Sequence, residues 1–124
     1  MIVLLDTTVL IYALRGEPTR SLMLKEMAMA GHTLATAAIN VSEVYAGVRH
    51  GEETVTATLF RDLVCYPMTF EIAIRAGLLR RDAASRGKTF ALADMIVAAT
   101  AIEHGLTILK DSKKDFAVPG VALF

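Results

Sequence analysis

Three acidic side chains lie where a charge is costly or where a strand ends. Asp6 follows the apolar run Ile2–Leu5, Glu43 follows Asn40 at the spacing of a helix start, and Asp94 interrupts an otherwise apolar stretch. Each acid has an ordinary structural explanation, since Asp6 could cap a helix, Glu43 could complete a capping box and Asp94 could face a helix dipole. Capping does not explain the apolar surroundings of Asp94, because an ionised carboxylate there must be paired or coordinated.

Taken together, the three acids predict a metal site. Asp6 ends the first predicted strand, while Glu43 and Asp94 begin helices that start at the same edge of the sheet, where open α/β sheets bind ligands. Carboxylates that converge there repel one another, and a hard divalent cation relieves that repulsion. Mg²⁺ and Mn²⁺ both prefer carboxylate and water oxygens, so the pattern favours phosphoryl chemistry.

Strand-length apolar runs alternate with helical patterns along the chain. The predicted strands cover residues 2–5, 33–36, 64–66, 106–109 and 121–124. Helical spacing fills the intervals, including a segment from Asn40 toward Gly51, a buried helix over 90–102, and a helix over 70–86. In this last helix the residues expected to face inward are Ala73, Ile74, Gly77 and Leu78. The alternation predicts an α/β fold with a central, mostly parallel sheet flanked by helices.

Composition limits the broad class of protein. The 124 residues are 54% hydrophobic, with 13 Lys+Arg against 13 Asp+Glu, which predicts one domain over 1–124 and excludes a disordered chain. The single cysteine, Cys65, is expected to be a small buried hydrophobe. A cytoplasmic protein is expected, because the sequence shows no disulfide framework, signal peptide or membrane span.

The sequence resembles the PIN-domain nucleases, in particular the VapC-type ribonuclease toxins of prokaryotic type II toxin–antitoxin pairs. The resemblance covers nearly the whole chain and rests on VLLDTTVLIYALRG at Asp6, NVSEVYAGV at Glu43, RGKTFALADMIVAATAIEHGLTIL around Asp94, and the closing KKDF. It implies a metal-dependent endoribonuclease in which Asp6, Glu43 and Asp94 are the catalytic, Mg²⁺- or Mn²⁺-binding residues. It further implies an RNA substrate, a cognate small antitoxin protein and a homodimer.

The chain departs from the family pattern after the fourth strand. Lys110 and Ser112 stand where such proteins usually show a Thr and then an Asn or Asp. Either Asp111 or Asp115 could therefore supply a fourth carboxylate, and Asp115 better matches the family's DF ending. Thr8 stands where Asn or Ser is common, and its hydroxyl is expected to bond Asp6 or a metal-bound water.

Two surfaces are candidates for binding partners. The basic residues within 80–88 and 110–114 either hold RNA phosphates or form a solvated face. The helical stretches Leu10–Leu14 and Leu22–Met29 offer Leu and Met side chains for an exposed groove that would receive the antitoxin.

Two other functions fit parts of the pattern. A receiver-like phospho-acceptor domain is also α/β and uses acids with a late Lys, which Lys110 could supply. However, a receiver needs an acidic pair beside the first strand, and only Asp6 is present there. A catalytically silent PIN-like binding module is the other alternative, and activity with added metal distinguishes it from an enzyme.

Overall fold

The computed structural model describes residues 1–114 and 116–124. Within them, a five-stranded sheet has the order β3-β2-β1-β4-β5, and every neighbouring pair is parallel. The strands are β1 (Ile2–Leu5), β2 (Thr33–Ala37), β3 (Val64–Tyr66), β4 (Thr107–Leu109) and β5 (Ala122–Leu123). This architecture confirms the predicted α/β fold.

Helices connect the strands and cover both faces of the sheet. They are α1 (Thr7–Leu14), α2 (Pro18–Met29), α3 (Ala38–Ala46), α4 (Glu53–Arg61), α5 (Phe70–Ser85) and α6 (Leu92–His104). Local signals fix several ends: Thr69 caps α5 by accepting a hydrogen bond from the backbone N–H of Ile72, and Gly105 ends α6 with φ +64°. None of the described helices is long and apolar enough to cross a membrane.

The core consists of two apolar clusters, one on each face of the sheet. Val3 and Leu5 of β1 pack with α1, α2 and α3, whereas Leu4 packs with α5 and α6 on the opposite face. All three side chains are fully buried, as expected for the central strand of a parallel sheet. The continuous apolar run before Asp6 therefore places that acid at the end of the most buried strand.

The start of α3 differs from the prediction. The helix begins at Ala38 and ends before Gly47, rather than running from Asn40 to Gly51. Asn40 lies in the first turn of the helix. Its Oδ1 accepts a hydrogen bond from the backbone N–H of the N-cap residue, Ala37, at 3.2 Å. Glu43 consequently lies in the second turn, and the capping-box explanation for it is wrong.

The inward face of α5 was also wrongly predicted. Ile74 and Leu78 are exposed, as are Ala73 and Gly77. The buried residues of this helix, which packs along α6, are instead Ile72, Ala76 and Ala83. Both sets recur at helical spacing, so periodicity could not choose between the two faces.

Cys65 is exposed rather than buried. It belongs to β3, the strand at one edge of the sheet, where its neighbour Val64 is also exposed. The apolar run around it therefore marks an edge strand and not a core position.

Candidate active site at the carboxyl edge of the sheet

Asp6 and Lys110 leave the sheet side by side. Leu5 of β1 is paired in register with Leu109 of β4, so the residues that follow them are neighbours. The Asp6 carboxylate is buried, with the residue 7% exposed, and its Oδ2 accepts a hydrogen bond from Lys110 Nζ at 2.8 Å. Asp6 occupies the N-cap position of α1, but its side chain makes no capping bond. Its carboxylate is therefore engaged by a cation and does not act as a cap.

Asp94 reaches the same ammonium group from α6. Its Oδ1 lies 4.0 Å from Lys110 Nζ. Its side chain is 40% exposed in the first turn of α6, so the expectation that apolar residues surround its charge is wrong, and the helix-dipole explanation fits its position. Because α6 leads into β4, the first turn of α6 lies at the carboxyl edge of the sheet, where β1 also ends. The structure thus brings Asp6 and Asp94 together around one positive charge.

Glu43 is exposed and is connected to the residue after Asp6 by hydrogen bonds whose donors are uncharged. Its Oε1 accepts a hydrogen bond from Thr7 Oγ1 at 2.7 Å, and Thr7 Oγ1 accepts one from Asn40 Nδ2 at 2.9 Å. Asn40 is fully buried. Thr7, the residue after Asp6, thus donates its hydroxyl to the Glu43 carboxylate, whereas the sequence predicted that the hydroxyl of Thr8 bonds an acid of the site.

Of the two candidates for a fourth acid, only Asp111 lies in the described residues. Its Oδ1 accepts a hydrogen bond from Arg20 Nε at 2.8 Å and a second from Nη2. The hydrogen bonds that Arg20 donates to Asp111 raise the pKa of Arg20. The Asp111 carboxylate is therefore paired with Arg20 of α2. Asp115 lies outside the described residues.

The donor atoms fit Mg²⁺ or Mn²⁺ in kind. They are carboxylate oxygens, which hard cations prefer, and two of the carboxylates already share one positive charge. Within residues 1–114 and 116–124, no three His, Cys, Asp or Glu side chains form a ready-made metal cluster. In this structure the charge between Asp6 and Asp94 comes from Lys110.

Several of the basic residues that were candidates for RNA contact have partners within the chain. Arg80 Nε donates to the carbonyl of Phe90 at 3.0 Å, and Arg81 lies 3.4 Å from the adjacent Asp82 carboxylate. Lys113 donates to the carbonyl of Phe124. Contact of this surface with RNA stays a prediction.

Sequence reasoning missed two features of the site. The ion pair between Asp6 and Lys110 had a usable signal, because each residue directly follows a strand and the two strands were expected to be parallel. The contact of Asn40 with Thr7 had no such signal, because an Asn before a helical pattern is most often a cap.

The family model described as "PIN domain" matches residues 3–120. The chain belongs to the PIN-domain family. This membership rules out the receiver-like alternative and confirms the resemblance found in the sequence.

Curated relatives of this PIN domain include Ribonuclease VapC19 of Mycobacterium tuberculosis (strain CDC 1551 / Oshkosh). It is 32% identical over 113 residues, which cover 91% of this chain and 90% of that protein. Among solved structures, a chain of a toxin–antitoxin complex from Klebsiella pneumoniae is 28% identical with a TM-score of 0.80, covering 97% of this chain and 95% of that one.

A chain of VapBC2 from Rickettsia felis, solved bound to a promoter DNA fragment, has a TM-score of 0.86. It is 24% identical, and the match covers 100% of this chain and 98% of that chain. At this identity, the likeness supports the PIN fold alone.

Proposed function

We propose that this PIN-domain protein is a metal-dependent endoribonuclease and the toxin of a type II toxin–antitoxin pair. The observation that carries the proposal is the convergence of Asp6 and Asp94 on one cation at the carboxyl edge of the sheet. Membership of the PIN family and the match to a named ribonuclease give that convergence its chemical meaning.

Asp6, Glu43 and Asp94 are the residues that would hold Mg²⁺ or Mn²⁺. Such an ion, when bound, polarises the scissile phosphodiester and activates the attacking water. The chain's part is to fix the ligands: the sheet holds Asp6, the first turn of α6 holds Asp94, and Thr7 orients the Glu43 carboxylate. A carboxylate of the site accepts the proton of the attacking water, and no side chain needs to act as a nucleophile.

An antitoxin partner is proposed from the solved complexes and from an apolar groove. The similar structures include toxin–antitoxin complexes, such as that of Klebsiella pneumoniae. In this chain, Ile11 and Leu14 of α1 line a groove with Val44, Val48 and Val55 from α3, α4 and the loop between them. The groove is small and is also lined by Arg15 and Glu52, so it would receive one apolar side chain of a partner segment rather than a whole helix. Of the stretches predicted to form the groove, Leu10–Leu14 contributes Ile11 and Leu14 while Leu10 is fully buried, and Leu22–Met29 contributes nothing to this groove, although Leu22 and Met29 are exposed elsewhere on the surface.

A homodimer is proposed from the outer face of α5. Ile74 and Leu78 are 47% and 42% exposed on this face, beside the charged residues Glu71, Arg75 and Glu103. Light scattering of the purified protein should give the mass of two 13.4 kDa chains. A monomer at micromolar concentration would contradict the dimer.

The ribonuclease proposal is tested with Asp6→Asn and Asp94→Asn, which weaken a hard-cation site at nearly constant volume. Cleavage of single-stranded RNA should fall by at least about 100-fold in each variant, because even outer-shell partners of metal sites contribute about 10–100-fold. Asp62→Asn is the matched control, since Asp62 is exposed at the end of α4. Circular dichroism and thermal melting establish that each variant is folded.

Two outcomes would overturn the proposal in different ways. Full cleavage by both folded variants would contradict the carboxylate site. No cleavage by the unaltered protein with either Mg²⁺ or Mn²⁺ would favour the catalytically silent binding module.

A further inference from the structure

We propose that Lys110 is the built-in cation of this site: it holds Asp6 and Asp94 in place when no divalent ion is bound, and it competes with that ion for their carboxylates. The inference rests on the metal site of the proposed function. In this proposal, Lys110 lowers the affinity of the site for its metal.

The contacts of Lys110 are those of a largely buried ion pair. Its side chain is 13% exposed and that of Asp6 is 11% exposed, with Nζ and Oδ2 2.8 Å apart. The pair between Arg81 and Asp82, by contrast, is 72% and 54% exposed and 3.4 Å apart. Exposed pairs of this second kind contribute little, whereas a buried carboxylate that loses its partner is strongly destabilising. A cation beside Asp6 is thus part of the folded state.

The position of the ammonium group is fixed from a third side. Lys110 Nζ lies 4.5 Å from the centre of the Phe116 ring, and Phe116 is itself buried against Phe90. A cation over an aromatic face is attracted by the ring. Lys110 is thereby held in place by Asp6, Asp94 and Phe116 together.

Competition follows from the chemistry of the lysine side chain. An ammonium group donates hydrogen bonds and has no lone pair, so it cannot join the carboxylates as a metal ligand. It also repels a divalent ion that approaches the same oxygens. For the metal to coordinate Asp6 Oδ2, the oxygen that Lys110 now contacts, the ammonium must move away, which the flexible four-carbon stem of lysine allows.

The test measures Mn²⁺ binding without RNA, by the electron paramagnetic resonance signal of free Mn²⁺. Lys110→Met keeps the apolar stem and removes the charge, and we expect Mn²⁺ to bind this variant at least tenfold more tightly than the unaltered chain. Lys88→Met is the control, because it removes an equal charge from an exposed residue outside the site. It should leave the affinity unchanged.

A second measurement on the unaltered chain covers the case in which Lys110→Met does not fold. Saturating Mn²⁺ should increase the acetylation of Lys110 by acetic anhydride, measured by mass spectrometry, while acetylation of Lys88 stays constant. If Mn²⁺ binds the unaltered chain without raising the acetylation of Lys110, the competition is contradicted and the metal site still stands. The same holds if folded Lys110→Met and the unaltered chain bind Mn²⁺ with equal affinity. If neither the unaltered chain nor folded Lys110→Met binds Mn²⁺, the metal site and the competition are both contradicted.

Discussion

The two halves of the candidate site are held together by different forces. The charged half consists of Asp6, Asp94 and Lys110. Lys110 Nζ lies 2.8 Å from Asp6 Oδ2 and 4.0 Å from Asp94 Oδ1. Its geometry depends on a cation. Under the proposal above, a divalent ion that binds Asp6 takes the place of the lysine there.

The other half consists of Glu43, Thr7 and Asn40, which form a chain of hydrogen bonds of 2.7 and 2.9 Å. It is called the neutral half here because its donors, Thr7 and Asn40, carry no charge. Asn40 is fully buried, and its amide oxygen is bonded to the backbone of Ala37. Glu43 is thus positioned whether or not a cation is present. The contrast suggests that the neutral half determines where Glu43 lies, while the charged half determines how strongly the site attracts a metal.

The largest expected effect on folding concerns the amide in the neutral half. Asn40→Ala removes the donor to Thr7 and the acceptor for the Ala37 N–H, so the free energy of unfolding should fall by about 1–3 kcal/mol. Urea denaturation of the variant measures this loss. Ser42→Ala, an exposed change in the same helix, should have little effect. An unchanged stability for Asn40→Ala would mean that the neutral half does not hold α3 in place.

The next effect separates two neighbouring threonines. Thr7→Val removes the hydroxyl bound to Glu43 at nearly constant volume, so the Mn²⁺ concentration for half-maximal cleavage should rise about tenfold. Thr8→Val is the matched control and should leave that concentration unchanged. A rise for Thr8→Val alone would restore the role first predicted for Thr8.

The smallest effect is expected at Asp111. Its carboxylate is bound by Arg20 of α2, so Asp111→Asn should leave the Mn²⁺ concentration for half-maximal cleavage unchanged. The sequence favours Asp115 as the fourth acid, and Asp115→Asn should raise that concentration. A shift for Asp111→Asn would place Asp111 among the metal ligands, and no shift for either variant would leave a site of three carboxylates.

The two acids of the charged half were predicted from sequence, whereas their pairing with Lys110 and the neutral half were not. Asp6 ends a short apolar run and Asp94 lies alone in a long one, so each was placed correctly at the carboxyl edge. Asn40 looked like a helix cap, which shifted the predicted start of α3 and placed Glu43 one turn too early. Hydrogen bonds between polar side chains that lie far apart in the sequence produce no periodic pattern.

The central claim is that the carboxylates of the charged half work through a divalent cation. The direct measurement is RNA cleavage by the purified chain after EDTA treatment, before and after Mg²⁺ or Mn²⁺ is restored. We expect cleavage to disappear in EDTA and to return with either ion, while Asp94→Asn stays inactive at the same ion concentrations. Equal cleavage in EDTA and in Mg²⁺ would contradict the claim.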